Sequence, residues 1–221
     1  MKTVLHEMAH SPFCIPVVRI LEAYGAEFER VQVPAWDRRE LARLTGGAYY
    51  QVPILEHGST IVYETAENPL ALPHYLSKHF ADGELFPEQH AGIQDIVINH
   101  IEEHLEGLGF PLSDPACVDA IEDIGERTMV IRHKERKMGA GCVEQWRANA
   151  ASIAARFESA LAPYEARLQN NDYLFGDRPV YADYALFGVL GNAQFSGDYT
   201  ISFSLTKIKE WEKRISAFSK A

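Results

Sequence analysis

Cysteine is scarce in this chain. Cys14, Cys117 and Cys142 are an odd number and too few for a disulfide framework, which excludes a stapled secreted scaffold and points to a reducing compartment, the cytoplasm by default. Long apolar runs are lacking as well. No uncharged stretch approaches the roughly 20 residues that span a bilayer, and Met1–Met8 lacks the apolar centre of a signal peptide, so no membrane partner is expected. Basic charge is in deficit, with 21 Lys+Arg against 31 Asp+Glu and a formal net charge of −10. Such a surface repels a phosphate backbone over most of its extent, so no nucleic-acid partner is expected, although a local basic patch is compatible with the composition. With 15 glycines and 11 prolines in 221 residues, collagenous and low-complexity classes are excluded too. What is present is 47% hydrophobic residues, enough to fill the core of one or two domains without staples.

Two hydrophobic periods alternate over the first 80 residues. Thr3–Met8 reads as a strand, and Phe13, Val17, Ile20, Leu21 and Tyr24 form a helical stripe that ends at Gly25. Phe28–Val33 reads as a second strand, and Asp37-Arg38-Arg39-Glu40 has the capping-box arrangement of a second helix, closed by Gly46-Gly47. Val52–Leu55 and Thr60–Tyr63, joined by a polar Gly-containing turn, form a hairpin, and a third helix reaches Tyr75–Phe80. The order is βαβαββα, a mixed sheet covered by helices, which is the layout of a thioredoxin-like domain over residues 1–80. Residues 81–87 have linker composition. Residues 88–221 show helical spacing at about 88–109, 116–138, 142–169, 181–194 and 205–219, with breaks at Pro111, Pro115, Gly139–Gly141 and Gly176–Pro179, so an all-α bundle is expected. The fold class is α/β plus all-α.

Ser11-Pro12-Phe13-Cys14 combines a favoured N-cap with proline at the first helical position, so the first helix is expected to start at Ser11. A hydroxyl there lies at the positive end of the helix dipole beside unpaired N–H groups, where a thiolate is stabilised; the stretch alone leaves open whether Ser11 is only a cap. Cys14 takes the second position of a C-x-x-C redox motif whose first position is serine, and one sulfur cannot form the intramolecular disulfide. It reads as a small core residue, with a supporting catalytic part as the alternative. A proline at the head of a strand, Pro53, cannot donate at its nitrogen and leaves the Val52 backbone free to pair with an extended peptide-like ligand. Glu64-Thr65 offers a carboxylate and a hydroxyl at the expected start of the third helix, able to hold an α-amino and an α-carboxyl group, or simply to cap.

Together Ser11-Pro12-Phe13, Gln51-Val52-Pro53-Ile54-Leu55, Tyr63-Glu64-Thr65 and Gly176-Asp177-Arg178-Pro179-Val180-Tyr181-Ala182-Asp183 resemble the soluble glutathione transferases, most closely the serine-type tau and zeta classes, over essentially the whole chain. The resemblance implies that Ser11 hydrogen-bonds the glutathione thiolate, with Pro12, Phe13, Cys14 and Pro53 in supporting places. It implies a cis Val52–Pro53 bond, Val52 backbone pairing with the cysteinyl unit, Glu64 and Thr65 on the γ-glutamyl end, and Gln51 at the glycyl carboxylate. It further implies glutathione as co-substrate, no metal, a small electrophile entering between the domains, a homodimer and a part in detoxification. Attack of the bound thiolate on an electrophilic carbon would give conjugation, dehalogenation, isomerisation or ether cleavage. Three departures from the family pattern stand out: a longer Glu64–Tyr75 segment with Pro69 and Pro73, Pro16 inside the first helix where it should kink it, and Val180 in place of a capping Ser or Thr.

The rival readings are a glutathione-dependent thiol reductase working through Cys14 and a non-catalytic binding module on the same scaffold. Elsewhere, His10 reads most simply as a surface histidine without a role. His100-Ile101-Glu102-Glu103-His104 fits H-x-x-E-H, the inverted zinc-peptidase pattern, but lacks a third ligand at metal spacing. Arg132–Lys137 is a basic run that reads as a solvated face or as the flank of an electrophile cleft, and Trp146, Phe157 and Tyr164 read as core.

Overall fold

The computed structural model describes residues 1–220; the last residue of the expected 88–221 span lies outside the described residues. Strands β1 (Thr3–Glu7), β2 (Glu29–Gln32), β3 (Ile54–His57) and β4 (Thr60–Val62) form one sheet in the order β2-β1-β3-β4. β1 runs parallel to β2 and antiparallel to β3, and β3 is antiparallel to β4. With α1 (Cys14–Ala23), α2 (Arg39–Leu44) and α3 (Ala71–Phe80) the order is βαβαββα, the thioredoxin-like arrangement read from the sequence. β1 is the central strand and is buried along its whole length, which is why Thr3-Val4-Leu5-His6-Glu7 shows no clean polar alternation. Its one carboxylate, Glu7, is held by Arg30 Nε and by Gln32 Nε2 at 2.6 Å from the neighbouring strand.

Helical residues follow from α4 (Ile93–Asn99) through a π-helical turn (His100–Leu105) into α5 (Glu106–Asp119), then α6 (Ile124–Met138), α7 (Cys142–Ala148), α8 (Ala150–Leu168), α9 (Tyr181–Ala193) and α10 (Thr206–Ala217). Three sequence expectations fail here. Pro111 and Pro115 do not break the chain; both lie inside α5. Packing of α5 on α8 and α9 overrides the local penalty of ~3 kcal/mol for an interior proline. The break falls instead at Ala120–Asp123, dividing the expected 116–138 helix, because Asp123 caps α6 by accepting the Glu126 N–H at 2.9 Å. The 142–169 span is likewise divided at Asn149.

α9 is the buried axis of the bundle. Val180 supplies no side-chain cap, but Asp183 Oδ2 accepts from Val180 N at 3.1 Å, the expected half of a capping box. Its other oxygen takes Leu174 N and Trp211 Nε1, each at 2.9 Å. Burial raises this carboxyl to about 6, against those three donors. The hydrophobic core is continuous between the two halves: Leu5, Leu72 and Leu76 belong to the same cluster as Ile98, Phe157, Leu186 and Trp211. The closest approach is between α9 and α1. A Cβ on Gly188 would lie 2.1 Å from the Pro12 carbonyl oxygen and 2.7 Å from Pro16 Cδ, so only glycine admits this packing.

Candidate functional site

The sheet register brings the sequence-derived candidates to one end of the sheet. His6 pairs with Ile54, so continuing the ladder sets Met8 opposite Val52; Leu55 pairs with Val62, which sets Pro53 opposite Glu64. The turn after β1 closes there, with Ser11 N donating to Met8 O at 2.9 Å. The Val52–Pro53 bond is cis, and the backbone N–H and C=O of Val52 pair with no backbone group among the described residues. Gln51 and Val52 are half-buried and Pro53 is buried. Tyr49 stacks on Tyr63 at 5.2 Å between ring centroids, tying the segment before Gln51 to the segment before Glu64.

Ser11 is only 8% exposed. The continuous helix begins at Cys14 rather than at Ser11, but the Ser11 carbonyl accepts from Cys14 N and Ile15 N at 3.1 Å, and its Oγ accepts from Phe13 N at 3.3 Å and Cys14 N at 3.4 Å. The hydroxyl thus caps the helix through its lone pairs, which leaves its hydrogen as a donor. Pro12 is buried against α9 and Phe13 is half-buried. Pro16 does not kink α1. As the third residue of the helix it falls in the first turn, where its N–H has no intrahelical partner to lose. Cys14 is fully buried, and burial pushes its thiol up to about 12 against the smaller opposing effect of the Ser11 hydroxyl. No thiolate forms there at neutral pH, and the geometry disfavours a reductase that works through this sulfur.

Glu64 and Thr65 are half-buried but do not start a helix. Residues 65–68 form a turn in which Thr65 Oγ1 accepts from Asn68 N at 3.3 Å, and α3 begins only at Ala71. Pro69 disfavours helical backbone at Asn68, which keeps the helix from extending back to Thr65. Glu64 is pushed up to about 8, first by burial and then by the Glu102 carboxylate of the helical half; it accepts no hydrogen bond among the described residues. Glu102 is itself raised to about 7 by burial, partly offset by the Tyr181 hydroxyl, which donates to its Oε1 at 3.0 Å.

Beside the β1–α1 turn lies a cleft of about 590 Å³ between the two halves, bordered by Met8, Ala9 and His10 on one side and by α5 and α6 on the other. A second, shallower depression of about 500 Å³ shares Trp36 and Glu126 with it and includes Arg38, Arg39 and Tyr50. Ser11, Gln51, Val52, Glu64 and Thr65 line neither cavity. His10 is not the surface residue expected from sequence. Its carbonyl accepts from Asn192 Nδ2 at 2.6 Å, and burial, then Lys134 and Arg38, bring its ring down to about 4.

Of the charges opposite, the sequence offered only the basic run, as one of two readings, for the flank of a cleft. Lys134, drawn from the basic run, turns inward with its side chain 17% exposed and meets Asp114, 2% exposed, at 2.6 Å. Arg132 pairs instead with Glu135 on the outer face, while Arg136 and Lys137 stay exposed. Arg38 donates to Met8 Sδ at 3.3 Å and has an enclosed Nη1 without a partner. Of the expected core aromatics, Phe157 and Tyr164 are buried but Trp146 is half-buried, edge-on to Phe110. Among the described residues no group of three or more His, Cys, Asp or Glu is placed to hold a metal ion, and no helix is long and apolar enough to cross a membrane.

Comparison with curated protein sequences finds no match. Residues 142–218 match the family model of the glutathione S-transferase C-terminal domain. Among solved structures, the glutathione transferase GSTFuA3 of Phanerochaete chrysosporium superposes with a TM-score of 0.81 at 16% identity, covering 100% of this chain and 98% of that one. Glutaredoxin 2 of Salmonella typhimurium, in complex with glutathione, gives a TM-score of 0.72 at 18% identity, with 97% and 93% covered. A rice glutathione transferase in complex with glutathione gives 0.64 at 16% identity, with 97% and 87% covered. The chain thus has the two-domain fold of the glutathione transferases, and its last third carries the sequence signature of their C-terminal domain.

Proposed function

We propose that the chain binds glutathione at the end of the sheet described above and acts as a serine-type glutathione transferase. The observation that carries this reading is the meeting, at one sheet end, of an unpaired Val52 backbone beside a cis proline, an unpartnered carboxylate on Glu64 and the first turn of α1. An extended γ-glutamyl tripeptide matches that set: main-chain pairing at Val52, its ammonium at Glu64, its α-carboxylate at the Thr65 hydroxyl and its glycyl end at Gln51, with Arg38 as a further cation nearby. The solved relatives that hold glutathione support the same ligand.

A free thiol with a pKa near ~8.5 needs about 2.7 kcal/mol of anion stabilisation to fall by two units. A hydrogen bond to a charged acceptor supplies ~1.5–3 kcal/mol and a helix terminus ~0.3–1 kcal/mol, so the Ser11 hydrogen and the α1 dipole suffice without a shifted general base. The thiolate then attacks an electrophilic carbon held in the 590 Å³ cleft, whose Val33, Val118, Ile121 and Val130 favour an apolar body. A cytoplasmic homodimer serving detoxification is the physiological form this reading implies.

Calorimetry with glutathione tests the binding; absence of heat at millimolar ligand would remove the proposal. Turnover on halogenated, epoxide, enone and aryl-ether substrates tests the chemistry. Ser11→Ala should lower it at least tenfold, about 1.4 kcal/mol of transition-state stabilisation. Equal rates in both proteins would contradict the part given to Ser11, and binding without turnover would identify a non-catalytic module.

A further inference from the structure

The two histidines of the H-x-x-E-H segment take no part in the site above, yet their geometry is specific. His100 and His104 lie on the outer face of the π-helical turn His100–Leu105, both exposed, with ring centroids 5.0 Å apart and planes inclined at 37°. The Nδ1 of His100 is engaged by the Tyr164 hydroxyl at 2.8 Å, which leaves Nε2 as its free nitrogen and fixes the ring's orientation. A histidine that ligates a metal commonly uses its other ring nitrogen for such a bond.

We propose that His100 and His104 form a two-histidine chelate for a divalent transition-metal ion such as zinc, with water completing the coordination. A metal–nitrogen distance of about 2.0–2.1 Å places the ion about 3.2 Å from each imidazole centroid, so centroids 5.0 Å apart subtend roughly 100° at the ion, close to a tetrahedral angle. The other near pair, His57 and His79, is 6.1 Å apart and subtends about 145°, which suits neither tetrahedral nor square geometry. Glu103, exposed on the same turn, adds negative charge beside the ion. With only two protein ligands the ion is exchangeable rather than structural, in keeping with the absence of any group of three ligating residues among those described.

Titrating zinc into the full chain and into His100→Ala and His104→Ala tests this without any enzyme assay. The wild type should bind one equivalent in the micromolar range, and each variant should bind at least tenfold more weakly. Excess zinc should also raise the melting temperature of the wild type and leave that of His104→Ala, an exposed and hence foldable substitution, unmoved. Equal zinc affinity in the wild type and His104→Ala, or no binding by the wild type, would overturn the assignment. Neither result bears on glutathione binding at Val52 and Glu64.

Discussion

The sheet half and the helical half that faces it are built from different chemistry. On the sheet side the candidate groups are mostly backbone, the first turn of α1 and the Val52 peptide groups, joined by one carboxylate, Glu64. On the helical side they are acids, with Glu102 and Glu106 half-buried and Asp114 buried. Glu102 and Glu106 are each raised to about 7 by burial, and Asp114 is raised by burial against the pull of Lys134. Backbone groups keep their character at any pH, whereas desolvated acids, Glu64 among them, change charge near neutrality. The sheet side is suited to fixing a peptide; the helical side is suited to tuning what lies across from it.

The sharpest way to break this contrast is to remove a charge from the helical wall. Lys134→Met leaves Asp114 enclosed without its cation, and urea denaturation should show a loss of about 3–5 kcal/mol. A loss below 1 kcal/mol would mean that water already screens the pair. Next, Gly188→Ala pushes α9 off the Pro12 carbonyl; overpacking of this kind costs about 1–3 kcal/mol, and glutathione affinity should fall with stability because the same contact sets the α1 turn. Gly107→Ala, at an open helical position, is the control and should be neutral or stabilising by roughly 0.5–1 kcal/mol.

Proton linkage sharpens the comparison further. Glu64 at about 8 is mostly protonated at pH 7, and a ligand ammonium favours its charged form, so binding should release a proton. The affinity of S-methylglutathione, which has no ionisable thiol, should therefore rise from pH 6 to 8, read by calorimetry in buffers of different ionisation enthalpy. A flat profile would place the ammonium away from Glu64. The other linkage concerns His10. Its ring titrates at about 4 in the folded chain against 6.5 for the free side chain, so on acidification the unfolded chain takes up the proton first. Its stabilising share is complete above pH 6.5 and is lost as pH falls toward 4. A nuclear magnetic resonance titration should give His10 an apparent pKa below 5.

The sheet wall was legible in the sequence because its signals are local. Ser-Pro at a helix start and Val-Pro at a strand start each specify geometry within a few residues, and the βαβαββα order follows from periodicity. The helical wall was not, because its meaning lies in long-range pairs: Lys134 with Asp114, Tyr181 with Glu102, and His10 with Asn192. No spacing rule separates an inward lysine from its outward neighbours in Arg132–Lys137. Pro111 and Pro115 misled for the same reason, since the packing that holds α5 together is supplied by helices far away in the chain. The displaced start of α3, by contrast, was signalled by Pro69 and the long segment around it.

Gly188 has a bearing on how such a protein can be recombined. The first 80 residues have the outline of a cassette, but the turn at Pro12 rests in a notch cut by a missing methyl group some 170 positions downstream. Grafted onto a helical partner that carries any larger side chain at that point, the cassette would have to give way at Pro12 before it met a ligand. Chimeras made at the 81–87 joint should therefore sort by one residue of the acceptor, and not by the joint itself.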